Sequence, residues 1–244
     1  MNAFIMVREG SVRIPDKNIK PFADSSLLQH KIEVLKNCHE IDDILVTSDC
    51  EKSLDIAKDL GCLTDKRPKH LCSAETKPKD LYRYISCLEM MLESEKMLSA
   101  SVCYPLIKSE TYDKMIRYYN ENYLEDRSSI NYISSFVGCH SIKENLWERK
   151  PKEGYKAINY VPGRQPASQD LPDIVSIAFG SIITSCETLG DGDLVGEFPE
   201  FFDLPKYECM DVDEEEDFKV AEQLYYTFVG RTPRMTEEVE AYHE

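Results

Sequence analysis

The sequence is short of several things, and each shortage excludes something. No apolar run approaches the roughly 18–20 residues that a bilayer crossing needs, so no membrane-spanning helix is expected. The opening MNAFIMV is too brief an apolar run for a secretory signal and has no basic lead, which makes the cytoplasm the expected compartment. No Cys-x-x-Cys pair occurs among the nine cysteines, which are scattered from Cys38 to Cys209. They read as reduced thiols rather than as a disulfide framework or a metal site. The five histidines form no closely spaced pair of the kind zinc uses. Neither G-x-x-x-x-G-K-[ST] nor G-x-S-x-G is present, so there is no Walker loop and no hydrolase nucleophile elbow. Cations are scarce as well: 29 Lys and Arg stand against 45 Asp and Glu, a formal charge of −16. A chain this acidic repels a nucleic-acid backbone. There is no internal repeat or low-complexity tract.

The cations that are present gather near the start. The stretch VREGSVRIPDKNIKP, Val7 to Pro21, holds Arg8, Arg13, Lys17 and Lys20 together with Gly10 and Ser11. A local cationic pocket in an acidic protein suits a small anion such as a phosphate. Backbone N–H groups around Gly10 and Ser11 could serve it, with Arg8, Arg13 and Lys17 as fixed charges. The alternative is a solvated basic loop.

Around this loop the pattern alternates. Residues 3–7 (AFIMV) read as a buried strand that feeds the loop. A helix is predicted from Ser26, with Leu28, Ile32, Leu35 and Cys38 at helical spacing. Residues 44–47 follow as a strand. A helix over 51–60 has Ser48 and Asp49 as its expected cap and Gly61 as its stop. A longer helix is predicted over 79–95, a strand over 99–104, a helix around Tyr112 to Tyr119, and strands over 130–136 and 174–184. A last helix carries Phe218, Ala221, Leu224, Tyr225 and Phe228 on one stripe. Strands alternating with amphipathic helices give a largely parallel α/β sheet, Rossmann-like, with helices on both faces. Ligands of such sheets bind outside the carboxyl ends of the strands, which is where the cationic loop falls. One domain over 1–244 is the expectation at this length. Residues 143–173 stand apart: the segment is polar, has four prolines and carries the only Trp, Trp147. A stretch that long and irregular reads as a functional or interaction arm.

A second constellation is MDVDEEEDF, 210–218. In an extended stretch Asp211 and Asp213 point to the same side, and two neighbouring carboxylates suit a cation such as Mg²⁺ that also takes phosphate oxygens. The alternative is an acidic helix start, stabilised by the helix dipole.

Together these stretches resemble a known family, the cytidylyltransferases that activate acidic nine-carbon sugars: acylneuraminate (sialic acid) cytidylyltransferase and its relatives for pseudaminic, legionaminic and other ulosonic acids. Their opening motif A-R-G-G-S-K-R-I-P-x-K-N is similar to V-R-E-G-S-V-R-I-P-D-K-N here, Val7 to Asn18. VTSD (46–49), RP-x-x-L (67–71), SQDLP (168–172), FGSII (179–183) and MDVDEEEDFKVAE (210–222) follow in order. The resemblance implies a nucleotidyltransferase-type fold with a protruding dimerisation arm. It implies transfer of CMP from CTP to the anomeric hydroxyl of a 2-keto sugar acid, with release of pyrophosphate. It would set Arg8, Gly10, Ser11, Arg13 and Lys17 around the triphosphate, with Asn18, Arg67 and Ser73 placing the nucleotide. Arg8, Lys17 and Asp211 would stand nearest the chemistry. Asp211 and Asp213 would hold Mg²⁺, and Arg164, Gln169 and Asp170 would lie near the sugar. The 143–173 arm would cross to a partner subunit, giving a homodimer. The expected partners are thus CTP, a small acidic sugar and a second copy of the chain, with no nucleic acid and no membrane.

The sequence departs from that family at Val12, where the motif has Lys, and at Glu9, where it has Gly. In the central segment 102–108, V-C-Y-P-L-I-K replaces a motif that begins with Gln and ends with Arg. Ser168 replaces an Arg. These changes fall in segments expected to touch substrate and point to an acid other than N-acetylneuraminate.

Overall fold

The computed structural model describes residues 1–123, 133–151, 154–160, 163 and 167–229. In chain order these form β1 (Asn2–Met6), β2 (Pro21–Phe22), β3 (Ser25–Ser26), α1 (Leu27–Lys36), β4 (Ile44–Ser48), α2 (Glu51–Asp59) and β5 (Leu63–Lys66). Next come α3 (Pro78–Ser86), α4 (Glu89–Leu92), β6 (Lys96–Ser99), α5 (Ser109–Asn122), β7 (Ser135–Ile142), β8 (Trp147–Lys150) and β9 (Gly154–Ala157). The chain then makes β10 (Ile174–Ser185), α6 (Cys186–Gly190), β11 (Pro199–Asp203) and α7 (Glu215–Val229).

Seven strands make one sheet in the order β11-β7-β10-β6-β1-β4-β5. Every neighbouring pair is parallel except the two made by β10, which runs against β6 and β7. From β1 the chain moves outward to β4 and β5, then returns to place β6 on the other side of β1. The carboxyl ends of β1 and β6 therefore border a topological switch point, the usual place for a ligand in an open α/β sheet.

The alternation of β1 sets the two faces. Ala3 and Ile5 enter a core completed by Leu28 and Ile32 of α1, Tyr112 and Ile116 of α5, and Phe218 and Tyr225 of α7. Phe4 points the other way, into a core with Ile85, Met91, Met97, Val137, Ile182 and Leu189. The α/β architecture with helices on both faces is thus the one expected from sequence. The helix α1 starts at the expected cap, where the Ser26 side chain accepts from the Gln29 N–H. Gly61 closes α2 with φ +74°. Among the described residues no helix is long and apolar enough to cross a membrane. All nine cysteines are free thiols.

Several expectations need correction. The helix predicted over 79–95 is two, α3 and α4, broken at Leu88, whose extended backbone (ψ 142°) precedes α4. No Gly or Pro marks that break. The strand expected over 99–104 lies instead at Lys96–Ser99, sharing only Ser99, and the chain from Val102 to Tyr104 runs on as a loop with Val102 and Tyr104 buried. The strand expected over 130–136 begins at Ser135, and residues 124–132 lie outside the described residues. Asp49 does not cap α2, whose N-cap is Cys50 with no side-chain cap bond. Its carboxylate instead accepts from the Glu9 N–H at 2.9 Å. The edge strands β5 and β11 were not expected at all: none of the residues of either is buried, and they carry no clear alternation. Within 143–173, β8 and β9 pair as an antiparallel hairpin, with Trp147 against Tyr160 (ring centroids 5.3 Å).

Candidate functional site

The loop after β1 turns back over the carboxyl end of the sheet because Gly10 takes φ +74°, a conformation that residues with a Cβ seldom adopt. Ile14 plugs into the core, and the Asn18 side-chain amide donates to the Arg8 carbonyl at 3.0 Å. Those two anchors fold the loop so that its cations face one cleft of about 360 Å³. Arg8, Ser11, Val12, Arg13, Lys17, Asn18, Arg67, Val102, Cys103 and Asp213 are among its lining residues. A small adjoining depression is edged by Gly10 and again by Arg8, Ser11, Lys17 and Asn18.

The carboxylates arrive from the far end of the chain. Residues 211–213 follow Met210, whose backbone is extended, and belong to no helix or strand. Val212 is fully buried, and its N–H donates to the Cys103 carbonyl at 2.8 Å. Asp211 and Asp213 therefore flank a core residue and lie near enough for the charge of Asp213 to bear on Asp211. The Lys17 ammonium donates to the Val212 carbonyl at 2.8 Å and lies 3.8 Å from Asp213. Arg13 donates to Asp213 at 2.8 Å. Asp217, in the first turn of α7, accepts from the Asp213 and Glu214 N–H groups at 3.1 and 2.7 Å, which fixes the end of this stretch.

Asp211 reaches the surface, yet its carboxyl sits in a crowded niche. Loss of solvent there, with the like charge of Asp213, raises its pKa above the ordinary value, against the opposing pull of Lys17 and a hydrogen bond from Tyr104. Tyr104 donates to Asp211 Oδ2 at 3.3 Å. Sequence reasoning missed this residue, because nothing local to Tyr104 points to a carboxylate 107 positions away.

Arg67 is the other cation of note. It is 3% exposed, donates through Nη2 to the Val7 carbonyl at 2.5 Å and through Nε to Cys72 Sγ at 3.0 Å. Among the described residues its Nη1 is buried without a hydrogen-bond partner. A guanidinium nitrogen left unpaired at a cleft wall suits an acceptor atom brought by a ligand. Arg8 reaches the Cys72 carbonyl at 3.0 Å. Neighbouring Ser73 is exposed and bonds Thr76 (3.1 Å), outside the lining of the cleft. Gln169 and Asp170 lie on an exposed 3-10 turn, Ser168–Asp170, and are likewise not in that lining. Arg164 lies outside the described residues.

Cations, backbone donors and the Asp213 carboxylate thus line one cleft at the switch point, while Asp211 is not in that lining and, among the described residues, no three or more His, Cys, Asp or Glu side chains gather as a metal site. Residues 3–152 match the cytidylyltransferase family model. The chain belongs to the cytidylyltransferase family. No curated protein matches it by sequence. Solved structures share the cytidylyltransferase fold at low identity. CMP:2-keto-3-deoxy-manno-octonic acid synthetase complexed with CTP is 12% identical (TM-score 0.63; 93% of this chain and 99% of that one). A 4-diphosphocytidyl-2C-methyl-D-erythritol synthase from Anaerococcus prevotii DSM 20548 is 13% identical (TM-score 0.61; 94% and 98%). A cytidylyltransferase from Leptospira borgpetersenii serovar Hardjo-bovis (strain JB197) is 17% identical (TM-score 0.55; 96% and 98%). These likenesses are of fold.

Proposed function

We propose that the chain transfers CMP from CTP to the anomeric hydroxyl of a sialic-acid-like 2-keto sugar acid, releasing pyrophosphate, and that it acts as a homodimer. The observation that carries the reading is the meeting of Arg13, Lys17 and Asp213 at the carboxyl ends of β1 and β6. Cations suited to a triphosphate occur there beside a carboxylate suited to its metal.

In this reading Arg8, Arg13 and Lys17, with the N–H groups near Gly10 and Ser11, hold the phosphates. Arg67 offers its unpaired Nη1 to the nucleotide. Asp211 and Asp213 fit Mg²⁺ as hard oxygen donors. The ion, when bound, would neutralise charge developing on the phosphates. The acceptor oxygen forms the new bond to the α-phosphorus, the bond to pyrophosphate breaks, and the hydroxyl proton leaves to solvent or base. What the chain itself contributes is alignment and fixed charge. The arm is the proposed second wall: Lys150 and Lys156 flank the β8–β9 hairpin, and exposed Trp147, Tyr155 and Ile158 offer an apolar face to a second copy.

A related reading keeps CTP and changes the acceptor to another acidic compound, such as a different ulosonic acid or a phosphonate. It is favoured by the replaced central segment, since Tyr104 stands there against Asp211. Pyrophosphate release is the test, measured with CTP and Mg²⁺ across a panel of keto-sugar acids and phosphonates. Turnover with a nine-carbon keto acid supports the first reading. Turnover only with another acid supports the second. No release with any member sinks both and leaves a nucleotide-binding homologue without turnover.

A further inference from the structure

Tyr104 belongs to the segment where the sequence leaves the family motif, yet it is 5% exposed and held from three sides. Its hydroxyl donates to Asp211 Oδ2 at 3.3 Å, and the nearby backbone of Phe179 bears on the hydroxyl's ionisation. Phe179 is in the stretch of β10 where the register with β7 shifts between Ile177 and Ile182. Irregularities of that kind re-aim backbone and side chains near sites. The Tyr104 ring packs on Gly180 so closely that a Cβ there would lie 2.4 Å from Tyr104 Cβ.

The third restraint is unusual. Lys31, on α1, is fully buried. Its ammonium donates to the Tyr104 carbonyl and to the Tyr112 hydroxyl, both at 2.8 Å, and that hydroxyl donates to the Gly180 carbonyl at 2.7 Å. Among the described residues no carboxylate is within ion-pair distance of Lys31. An ammonium buried on neutral acceptors alone costs stability, and an apolar side chain of the same length would fill the space without that cost. What the lysine adds is a fixed position for the backbone of Tyr104.

Lys31 grips Tyr104, and Tyr104 grips one oxygen of Asp211, while the N–H of Val212 is bonded to the Cys103 carbonyl next door. The 211–213 stretch is thus fastened to the 103–104 loop by main chain and side chain together. We infer that Tyr104 is a positioning residue for the Asp211 carboxylate, with buried Lys31 as its anchor, so that Asp211 keeps Oδ1 directed to a cation instead of rotating freely. The inference rests on the reading of Asp211 as a metal-binding carboxylate. Removing a freely rotating side chain from the ordering cost of binding is worth a few-fold in affinity. The 3.3 Å contact is long for an O–H···O bond, so the expected effect is modest.

The test titrates Mn²⁺ into the protein–CTP complex, with bound metal followed by electron paramagnetic resonance. CTP binding in EDTA and thermal unfolding are measured in parallel. Tyr104→Phe keeps the ring and removes the hydroxyl. It should weaken Mn²⁺ binding by roughly three- to tenfold, leave CTP affinity in EDTA unchanged, and raise the Mg²⁺ needed for half-maximal turnover while saturating Mg²⁺ restores the rate. Lys31→Met should weaken Mn²⁺ binding in the same sense. Should Lys31→Met fail to fold, Tyr104→Phe still decides the matter. Wild-type Mn²⁺ affinity in Tyr104→Phe, with Asp211→Asn having lost it, overturns the positioning role and leaves the metal reading standing. Wild-type affinity in Lys31→Met alone removes the anchor. Asp211→Asn binding Mn²⁺ as the wild type does overturns the metal reading and this inference together.

Discussion

The Arg13 guanidinium meets the Asp213 carboxylate at 2.8 Å, although 200 positions separate them in sequence. Both side chains are largely exposed, and an exposed pair of this kind adds about 0–1 kcal/mol to stability. Its interest is therefore in ligand binding. Arg13→Ala should change the unfolding free energy by less than about 1 kcal/mol and weaken CTP binding by roughly tenfold or more, as expected for a lost charged hydrogen bond. Calorimetric titration with CTP decides it, and unchanged affinity would return the loop to a solvated basic surface.

Lys17 should behave differently, because its side chain is only 12% exposed and holds the Val212 carbonyl. Lys17→Ala leaves that carbonyl without its donor, at a cost of about 1–3 kcal/mol. Loss of stability and loss of CTP affinity should appear together, in contrast to Arg13→Ala. Urea unfolding of the two variants side by side makes the comparison.

At Gly180 the added Cβ of an alanine would lie 2.4 and 2.7 Å from Tyr104 Cβ and Cγ, and 2.9 Å from Ile107 Cδ1. Gly180→Ala should destabilise by about 1–3 kcal/mol through overpacking and displace the Tyr104 ring. A thermal midpoint equal to that of the wild type would contradict the close approach.

Burial carries the Lys31 pKa down to about 7 from its ordinary 10.5, against the weaker attraction of Cys38, Glu208 and Cys103. Lys31 then binds a proton less readily folded than unfolded. Between about pH 7 and the unfolded value near 10.5 the unfolded chain holds more protons, so this group makes stability rise with pH, with a limiting slope of about 1.4 kcal/mol per unit. Below about pH 7 both states are protonated and the full cost of burial stands. Denaturant unfolding at pH 7 and pH 9 should favour the higher pH more in the wild type than in Lys31→Met. Equal pH dependence in the two would refute the shift.

Trp147 touches Tyr160 within the arm and is still 47% exposed. If the arm crosses to a second copy, Trp147→Asp should turn dimers into monomers in sedimentation while CTP affinity persists. A wild type that sediments as a monomer at micromolar concentration would assign the tryptophan to the hairpin alone.

Much of this was legible in the sequence, for reasons that differ by element. The continuous apolar run AFIMV and the stripes of α1 and α7 state their burial locally, so strand and helices could be read off. The cationic loop and the Asp-x-Asp spacing were likewise visible as short patterns. What joins them is not local. Arg67 is set near the nucleotide only by the family resemblance, and it is the folded chain that reveals a buried guanidinium with one nitrogen unpaired among the described residues. The apolar letters Val102 and Tyr104 extended the predicted strand past Ser99 because burial in a loop behind a cleft leaves the same signature as burial in a sheet. Asp49 looked like a cap because Asp before a helix usually is one, whereas its carboxylate is taken by the Glu9 N–H.

The seam between the opening loop and the 211–213 stretch also bears on synthesis. A ribosome makes the first cation of the cleft some two hundred residues before the carboxylate that faces it. Phe22, packed edge-on to Phe218 at 5.5 Å, must wait as long for its cover. The nascent chain therefore carries an open apolar edge and unneutralised positive charge through most of translation. Domains that fold as units during synthesis leave such surfaces open to association until the closing segment emerges, so a chain that stops short of α7 is the form of this protein a chaperone would be expected to hold.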